Sequence, residues 1–200
     1  SGKTMGRPDW RWIIDPLDGT VNFAHGYPCY CVSIALQHAD QIELGVIYNP
    51  SLDELFVAER GKGATLNGQP LRISSIDSLK RSLLVTGFAY NVNRSRHNNL
   101  DHFANFSVEC EAVRRPGSAA LDMCYVACGR FEGFWELFLH PWDYAAGWLL
   151  VTEAGGRVTR FDGAPFRMGD QEILVTNGLV HDQMIDVLKR GHSRGDTQDG

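Results

Sequence analysis

Six consecutive residues, Asp15-Pro16-Leu17-Asp18-Gly19-Thr20, constrain this chain more than any other stretch. They set two carboxylates and a hydroxyl at the end of an apolar run, WRWIID over residues 10–15, which suits a buried strand delivering an acid at its C-terminal end. Pro16 fixes φ, Gly19 allows a turn or the close approach of a ligand, and together they aim both acids into one small volume. Adjacent carboxylates at neutral pH repel unless a cation or a proton stands between them. Oxygens from Asp15, Asp18, a main-chain carbonyl and the Thr20 hydroxyl suit Mg²⁺, which takes octahedral oxygen coordination at about 2.0–2.1 Å and keeps several waters. On spacing alone, an Asx-type turn in which the acids cap backbone amides accounts for the segment equally well.

Beyond this loop, residues 29–37, 42–48 and 54–59 are rich in β-formers and are separated by Gly, Pro or polar turns, which predicts an antiparallel meander. Asn67-Gly68 marks a further hairpin. Residues 83–86 predict a strand, and 95–108, with Leu100, Phe103, Phe106 and Ser107 on one face, an amphipathic helix. A short strand over 111–114 leads to Ser118, which opens the helix SAALDMCYVACG, with Leu121, Cys124, Tyr125 and Cys128 along one face and Gly129 as its stop. A strand over 131–137 precedes a helix from Pro141 to Gly155-Gly156, in which Asp143 serves as N-cap or first-turn acid. A strand over 173–176 and an amphipathic helix over 180–189 follow. Strands alternating with helices, plus one antiparallel run, predict a layered α/β protein rather than a barrel. The expected division is an N-terminal subdomain, 1–109, with the DPLDGT loop and the antiparallel sheet, and a C-terminal α/β subdomain, 110–200.

A chain of 200 residues with 44% apolar content can bury a sizeable core. Its net charge of −5, with 19 Lys and Arg spread along the sequence, leaves no electrostatic footprint for nucleic acid or an anionic membrane, so the expected partner is a small molecule. The five cysteines, Cys29, Cys31, Cys110, Cys124 and Cys128, lack the density of a disulfide scaffold and favour a reducing compartment and inert buried thiols. Cys124 and Cys128 share a helical face, without the clustered Cys or His partners a zinc site needs. No run approaches the roughly 20 apolar residues of a membrane helix, and the first residues do not form a signal peptide, so a soluble, cytoplasmic protein is expected, with a frayed tail over 190–200.

Two motifs carry a resemblance. DPLDGTVNF, residues 15–23, is similar to the first signature of the inositol monophosphatases and their lithium-sensitive relatives, and PWDYAAG, residues 141–147, is similar to the second, which contributes one more aspartate. They occur in the family's order, 128 positions apart from Asp15 to Asp143, and ERGKGATLNGQPL, RPGSAALD and EAGG agree as well, so the resemblance spans nearly all of residues 12–188. It implies a sandwich of alternating α-β-α-β-α layers and Mg²⁺-dependent hydrolysis of small phosphate monoesters, in a homodimer.

Carried over residue by residue, the resemblance implies that Asp15, Asp18 and Asp143 bind metal, with the Leu17 carbonyl as an added ligand. Gly19 and Thr20 would hold phosphate through their backbone amides, and Thr20 and Asp18 would be catalytic, Thr20 helping to orient the attacking water. Substrate hydroxyls would meet Asp18, the turn of Gly117, Ser118 and Ala119, then Glu136 and Asp143. The implied reaction is in-line attack of a metal-activated water on the phosphate, with no phosphoenzyme. Thr20, Asn22 and Phe23 favour the inositol branch, so myo-inositol monophosphate is the first expected substrate, with histidinol phosphate and fructose 1,6-bisphosphate as alternatives within the family. Members of the family also carry a helical N-terminal region that supplies a further metal-binding glutamate and an acid partner for the threonine, whereas only SGKTMGRPD precedes Trp10 here. The resemblance therefore implies open apolar surface where those helices would lie, and the expectation from another class is a non-catalytic interaction protein that keeps the fold.

Other features read more plainly as structure. Gly2-Lys3-Thr4 imitates the end of a P-loop but lacks its earlier glycine and its preceding strand. Ser118 lacks the G-x-S-x-G elbow and reads as a helix cap. His140 reads as a packing group, because a set of hard carboxylates does not call for imidazole. Glu136 stands among Phe134, Trp135, Leu137 and Phe138, where an unpaired acid is costly to bury, so it faces the pocket or a partner. Arg114 and Arg115 either approach a sugar phosphate or a neighbouring subunit, or close a solvated strand.

Overall fold

The computed structural model describes residues 9–88 and 98–191; the P-loop imitation and the start of the helix expected over 95–108 lie outside them. The first sheet follows from side chains alternating with a period of two, clearest in β2 (Cys31–His38), where every second residue is buried. Around it β1 (Trp10–Asp18), β3 (Gln41–Asn49), β4 (Glu54–Glu59), β5 (Gly63–Leu66) and β6 (Gln69–Pro70) line up in chain order, each antiparallel to the next. Asn67 and Gly68, with φ of 49° and 78°, make the tight turn that the sequence predicts between the last two.

β1 departs from the expected buried strand. It pairs with β2 alone, as the edge of the sheet, and Trp10, Trp12 and Ile14 on its outer face are about half exposed, at 52%, 57% and 51%. Only Ile13 turns fully into the core. The register against β2 breaks between Asp15, opposite Ser33, and Asp18, opposite Cys31. This bulge lifts Pro16 and Leu17 out of the ladder, where a residue without an N–H does no harm, and bends the strand towards its last carboxylate. A short helix, α1 (Thr20–Ala24), follows at once.

The second sheet runs β10 (Arg157–Thr159), β11 (Glu172–Thr176), β9 (Gly133–Leu137), β7 (Leu83–Thr86), β8 (Ala112–Arg114). β7 is parallel to both neighbours and the remaining pairs are antiparallel. The division expected at residue 109 falls between its strands β7 and β8. β10, three residues long, escaped the sequence reading.

Between the sheets lie α3 (Ala119–Ala127) and α4 (Pro141–Glu153), packed on each other, with α4 against the first sheet and α3 against β7, β9 and β11. α2 (Leu100–Ser107) and α5 (His181–Leu188) pair on the far side of the second sheet, where Phe106, Trp135, Leu174 and Met184 form a separate core. The described residues thus stack as sheet, helix pair, sheet, helix pair: an α/β sandwich. Because α3 sits in a middle layer, eight of its nine residues are buried, not the single face that spacing predicts. In α2 the buried positions are Asn105 and Phe106, while Leu100 stays 52% exposed at the first turn. α4 lies directly on its neighbours: a Cβ at Gly45 of β3 would stand 2.8 Å from the Ala146 carbonyl oxygen, and one at Gly147 would stand 2.8 Å from the Met123 Cβ. All five cysteines are free thiols. No described helix is long and apolar enough to cross a membrane.

Candidate active site

The bulge of β1 and the first turn of α4 converge, and one carboxylate oxygen from each of Asp15, Asp18 and Asp143 comes within 4.8 Å of the others. Each acid is anchored through a single oxygen. Asp15 Oδ1 accepts the Leu17 N–H at 3.0 Å, and Asp143 Oδ2 accepts the His140 N–H at 2.7 Å. His140 is therefore the N-cap of α4 and Asp143 its first-turn acid. Asp18 Oδ2 accepts the Ser118 hydroxyl at 2.6 Å and the Ala120 N–H at 2.9 Å, with the Cys31 thiol at 3.9 Å.

Burial, and then the charge of the neighbouring acids, raises the pKa of Asp143 to about 6; burial raises that of Asp18 as well, against the Ser118 and Ala120 hydrogen bonds that lower it. Three carboxylates that resist sharing a space without a counter-charge are a fitting cradle for a cation, and the donors are all hard oxygens. The His140 ring takes no part, stacking on Trp142 with centroids 4.6 Å apart.

The loop between the acids is held from several sides. Gly19 has φ of 86°, and a Cβ there would meet the Cys29 carbonyl oxygen at 2.7 Å, so only glycine fits. The Thr20 hydroxyl donates to the Leu17 carbonyl at 2.9 Å. Asn22 donates to the carbonyls of Cys29, at 2.7 Å, and Pro116, at 2.8 Å, tying α1 to the turn before α3.

Two adjoining cavities open here. The larger, about 650 Å³, is lined by Asp15, Leu17, Asp18, Gly19 and Thr20; the smaller, about 350 Å³, by Gly117, Ser118 and Ala119; Asp18, Glu136 and Asp143 border both. Every site residue singled out from the sequence lines one of them. Within the turn, Ser118 is buried and its hydroxyl is engaged three times, donating to Asp18, accepting the Leu121 N–H at 3.4 Å as the cap of α3, and lying 3.7 Å from the Cys31 thiol. Glu136 faces the pocket, its carboxylate pressed so closely on Gly87 that a Cβ there would lie 2.3 Å from either oxygen. Burial, then Asp143 and Asp18, pushes its pKa up to about 8.

Among the lining residues that sequence reasoning did not assign to the site are Phe88, Asn22 and Asp122. Asp122 is 1% exposed in the first turn of α3, and its Oδ1 has no hydrogen-bond partner among the described residues. Burial, then Glu136 and Asp18, raises its pKa well above the carboxylate range. The signal was an acid inside an otherwise apolar helix. The two arginines separate: Arg114 is exposed and donates to the Val113 carbonyl at 3.2 Å, whereas Arg115 lines the smaller cavity with its guanidinium 5.7 Å from the Phe88 ring centre.

Known proteins are similar to this chain in sequence and fold. The sequence model of the inositol monophosphatase family matches residues 1–192. The chain is 49% identical over 177 residues to the inositol-1-monophosphatase of Synechocystis, a match that takes in 88% of the chain and 62% of that protein. It is 44% identical over 199 residues to the Nus factor SuhB of Escherichia coli, covering 95% of the chain and 74% of the relative. The solved inositol monophosphatase of Anabaena superposes with a TM-score of 0.90 at 47% identity, over 92% of this chain and 73% of that one. The chain thus spans less than two thirds of the Synechocystis protein and, on every count above, belongs to the inositol monophosphatase family.

Proposed function

We propose that this chain carries the active site of a Mg²⁺-dependent phosphatase for small hydroxylated phosphate monoesters, myo-inositol monophosphate first among them. The observation that carries the reading is the meeting of Asp15, Asp18 and Asp143 within 4.8 Å, from sequence positions far apart. Those carboxylates, with the Leu17 carbonyl beside them, would hold the ion. Mg²⁺ in such a site supplies Lewis-acid polarisation of a phosphoryl oxygen and lowers the pKa of a water ligand.

The protein's own groups do the rest. Gly19 and Thr20 border the larger cavity next to the acids, where their amides hold the phosphate and Thr20 orients the attacking water. Glu136 and Asp143 border both cavities, where carboxylates accept hydrogen bonds from substrate hydroxyls. Without a cation the same acids repel an anionic substrate, so binding of phosphate and of metal is coupled.

The test is phosphate release from inositol 1-phosphate with Mg²⁺, comparing the protein with Asp143→Asn. Asparagine keeps an acceptor for the His140 N–H, so the fold survives, while loss of a ligand carboxylate lowers the rate by more than the ~10–100-fold typical of second-shell partners. A second reading, an interaction protein that keeps the fold, draws on the relative named a Nus factor. Equal silence of both proteins overturns the enzyme reading and favours that one. Histidinol phosphate and fructose 1,6-bisphosphate in the same assay rank the substrates.

A further inference from the structure

We infer that Phe138 is a specificity-determining residue, an aromatic partition that confines the leaving group to the larger cavity and so favours compact phosphate monoesters over extended ones. The inference rests on the phosphatase reading of the same site and adds to it a limit of size.

Four non-glycine residues among the described ones hold a positive φ. Ala39, Asp53 and Asn67 stand in turns that join neighbouring strands of the first sheet, and each is small or of a type that accepts the left-handed region. Phe138, at φ of 61° in the link between β9 and α4, is neither. A bulky side chain there is strained, whereas glycine takes the same backbone freely. Phe138 also leaves an apolar residue 38% exposed. Both costs fall two positions after Glu136 and two before His140, whose N–H holds Asp143. Strain of this kind gathers where the geometry is used.

The position supplies the use. Beside the larger cavity of about 650 Å³ lies a further one of about 220 Å³, and Leu137, Phe138 and Gln171 line both. The wall is pinned: the Phe138 N–H donates to the Gln171 carbonyl at 2.7 Å, and Leu137 pairs with Glu172 across β9 and β11. Leu137 packs on the second core, and the Gln171 side-chain amide donates to the Gly169 carbonyl at 3.1 Å. The Phe138 side chain belongs to neither hydrophobic cluster. A leaving group that outgrows the larger cavity on this side meets that ring, and one that fits inside does not.

Equilibrium binding tests the partition apart from turnover. With Mg²⁺ present, calorimetry compares methylphosphonate with 2-phenylethylphosphonate, whose ring matches the one to be removed. Phe138→Gly is expected to move the ratio of affinities about tenfold or more towards the phenylethyl ligand, the effect of burying one phenyl ring, with a melting midpoint no lower than the native one. Phe138→Asn, whose side chain also accepts the left-handed region, is expected to shift the ratio in the same direction. Phe138→Tyr, which keeps the ring, is expected to leave it within about twofold. A ratio within about twofold of the native one in both the glycine and asparagine variants, or a glycine variant that melts lower, overturns the partition. A shifted ratio in a protein that releases no phosphate from inositol 1-phosphate sustains the partition and overturns the phosphatase reading alone. Absence of Mg²⁺-dependent binding of either ligand overturns both.

Discussion

Ser118→Ala removes one hydroxyl that serves Asp18 and the cap of α3 and lies beside the Cys31 thiol. In the native arrangement it donates to Asp18 Oδ2 at 2.6 Å and accepts the Leu121 N–H at 3.4 Å. A hydrogen bond to a charged group contributes about 1.5–3 kcal/mol, and the long cap bond belongs at the low end of the N-cap range, about 0.5 kcal/mol. The Ala120 N–H, at 2.9 Å, still holds the carboxylate, which keeps the total loss to about 2–3 kcal/mol. The effect on metal has a definite sign. The Ser118 hydrogen bond is the largest influence lowering the pKa of Asp18 against burial, so its removal makes the acid harder to ionise and weakens cation binding. The loss expected of a supporting partner is ~10–100-fold in Mg²⁺ affinity. Urea melts read the first quantity, calorimetric Mg²⁺ titration reads the second, and Ser118→Thr should restore most of both. A variant that loses stability yet binds Mg²⁺ within twofold of the parent shows that the hydroxyl is a helix cap and nothing more, and refutes the reasoning.

His181 gives a pH dependence away from the site. Its ring is fully buried, with Nε2 3.0 Å from the Thr159 hydroxyl and Nδ1 2.8 Å from that of Thr176, and burial, then the Arg157 charge, pushes its pKa down to about 4. A folded pKa below the unfolded value of about 6.5 means that the contribution is complete above pH ~6.5 and is lost as pH falls towards ~4, a change on the order of 2–3 kcal/mol by pH ~4.5. Denaturant melts of the protein and His181→Gln across that range should diverge; parallel curves refute the assignment. Gly19→Ala forces a side chain into the left-handed region, at about 1–2 kcal/mol, and onto the Cys29 carbonyl 2.7 Å away, so a melt lowered by at least ~2 kcal/mol and weaker Mg²⁺ binding are expected. An unshifted melt counts against the packing described for the loop.

The acids themselves were legible because chemistry that needs carboxylates cannot disguise them: DPLDGT and PWD stand out by density and position, and Glu136 by being an acid among aromatics. How they meet was not legible. The bulge that presents Asp18 is a property of the pairing with β2, which no local pattern encodes. The same limit explains β1, whose apolar run is equally consistent with a buried strand and with an edge strand, since the number of neighbours is decided elsewhere in the chain. Asp122 stayed hidden because helical periodicity assigns a lone acid to a wet face, and α3 has none: the layer on either side removes it. Arg115 and Arg114 are adjacent, chemically identical and both exposed, yet one borders the cavity and the other donates to the Val113 carbonyl, a split no local pattern marks.

The contact between Gly45 and the Ala146 carbonyl fixes how near α4 can ride to the first sheet, and with it how far Asp143 stands from the acids of β1. A methyl group at position 45 would act as a shim, tilting the helix and widening the gap between Asp143 and the acids of β1. A survey of substitutions scored by turnover alone would therefore rank this strand glycine beside the ligands, though it touches neither ion nor substrate.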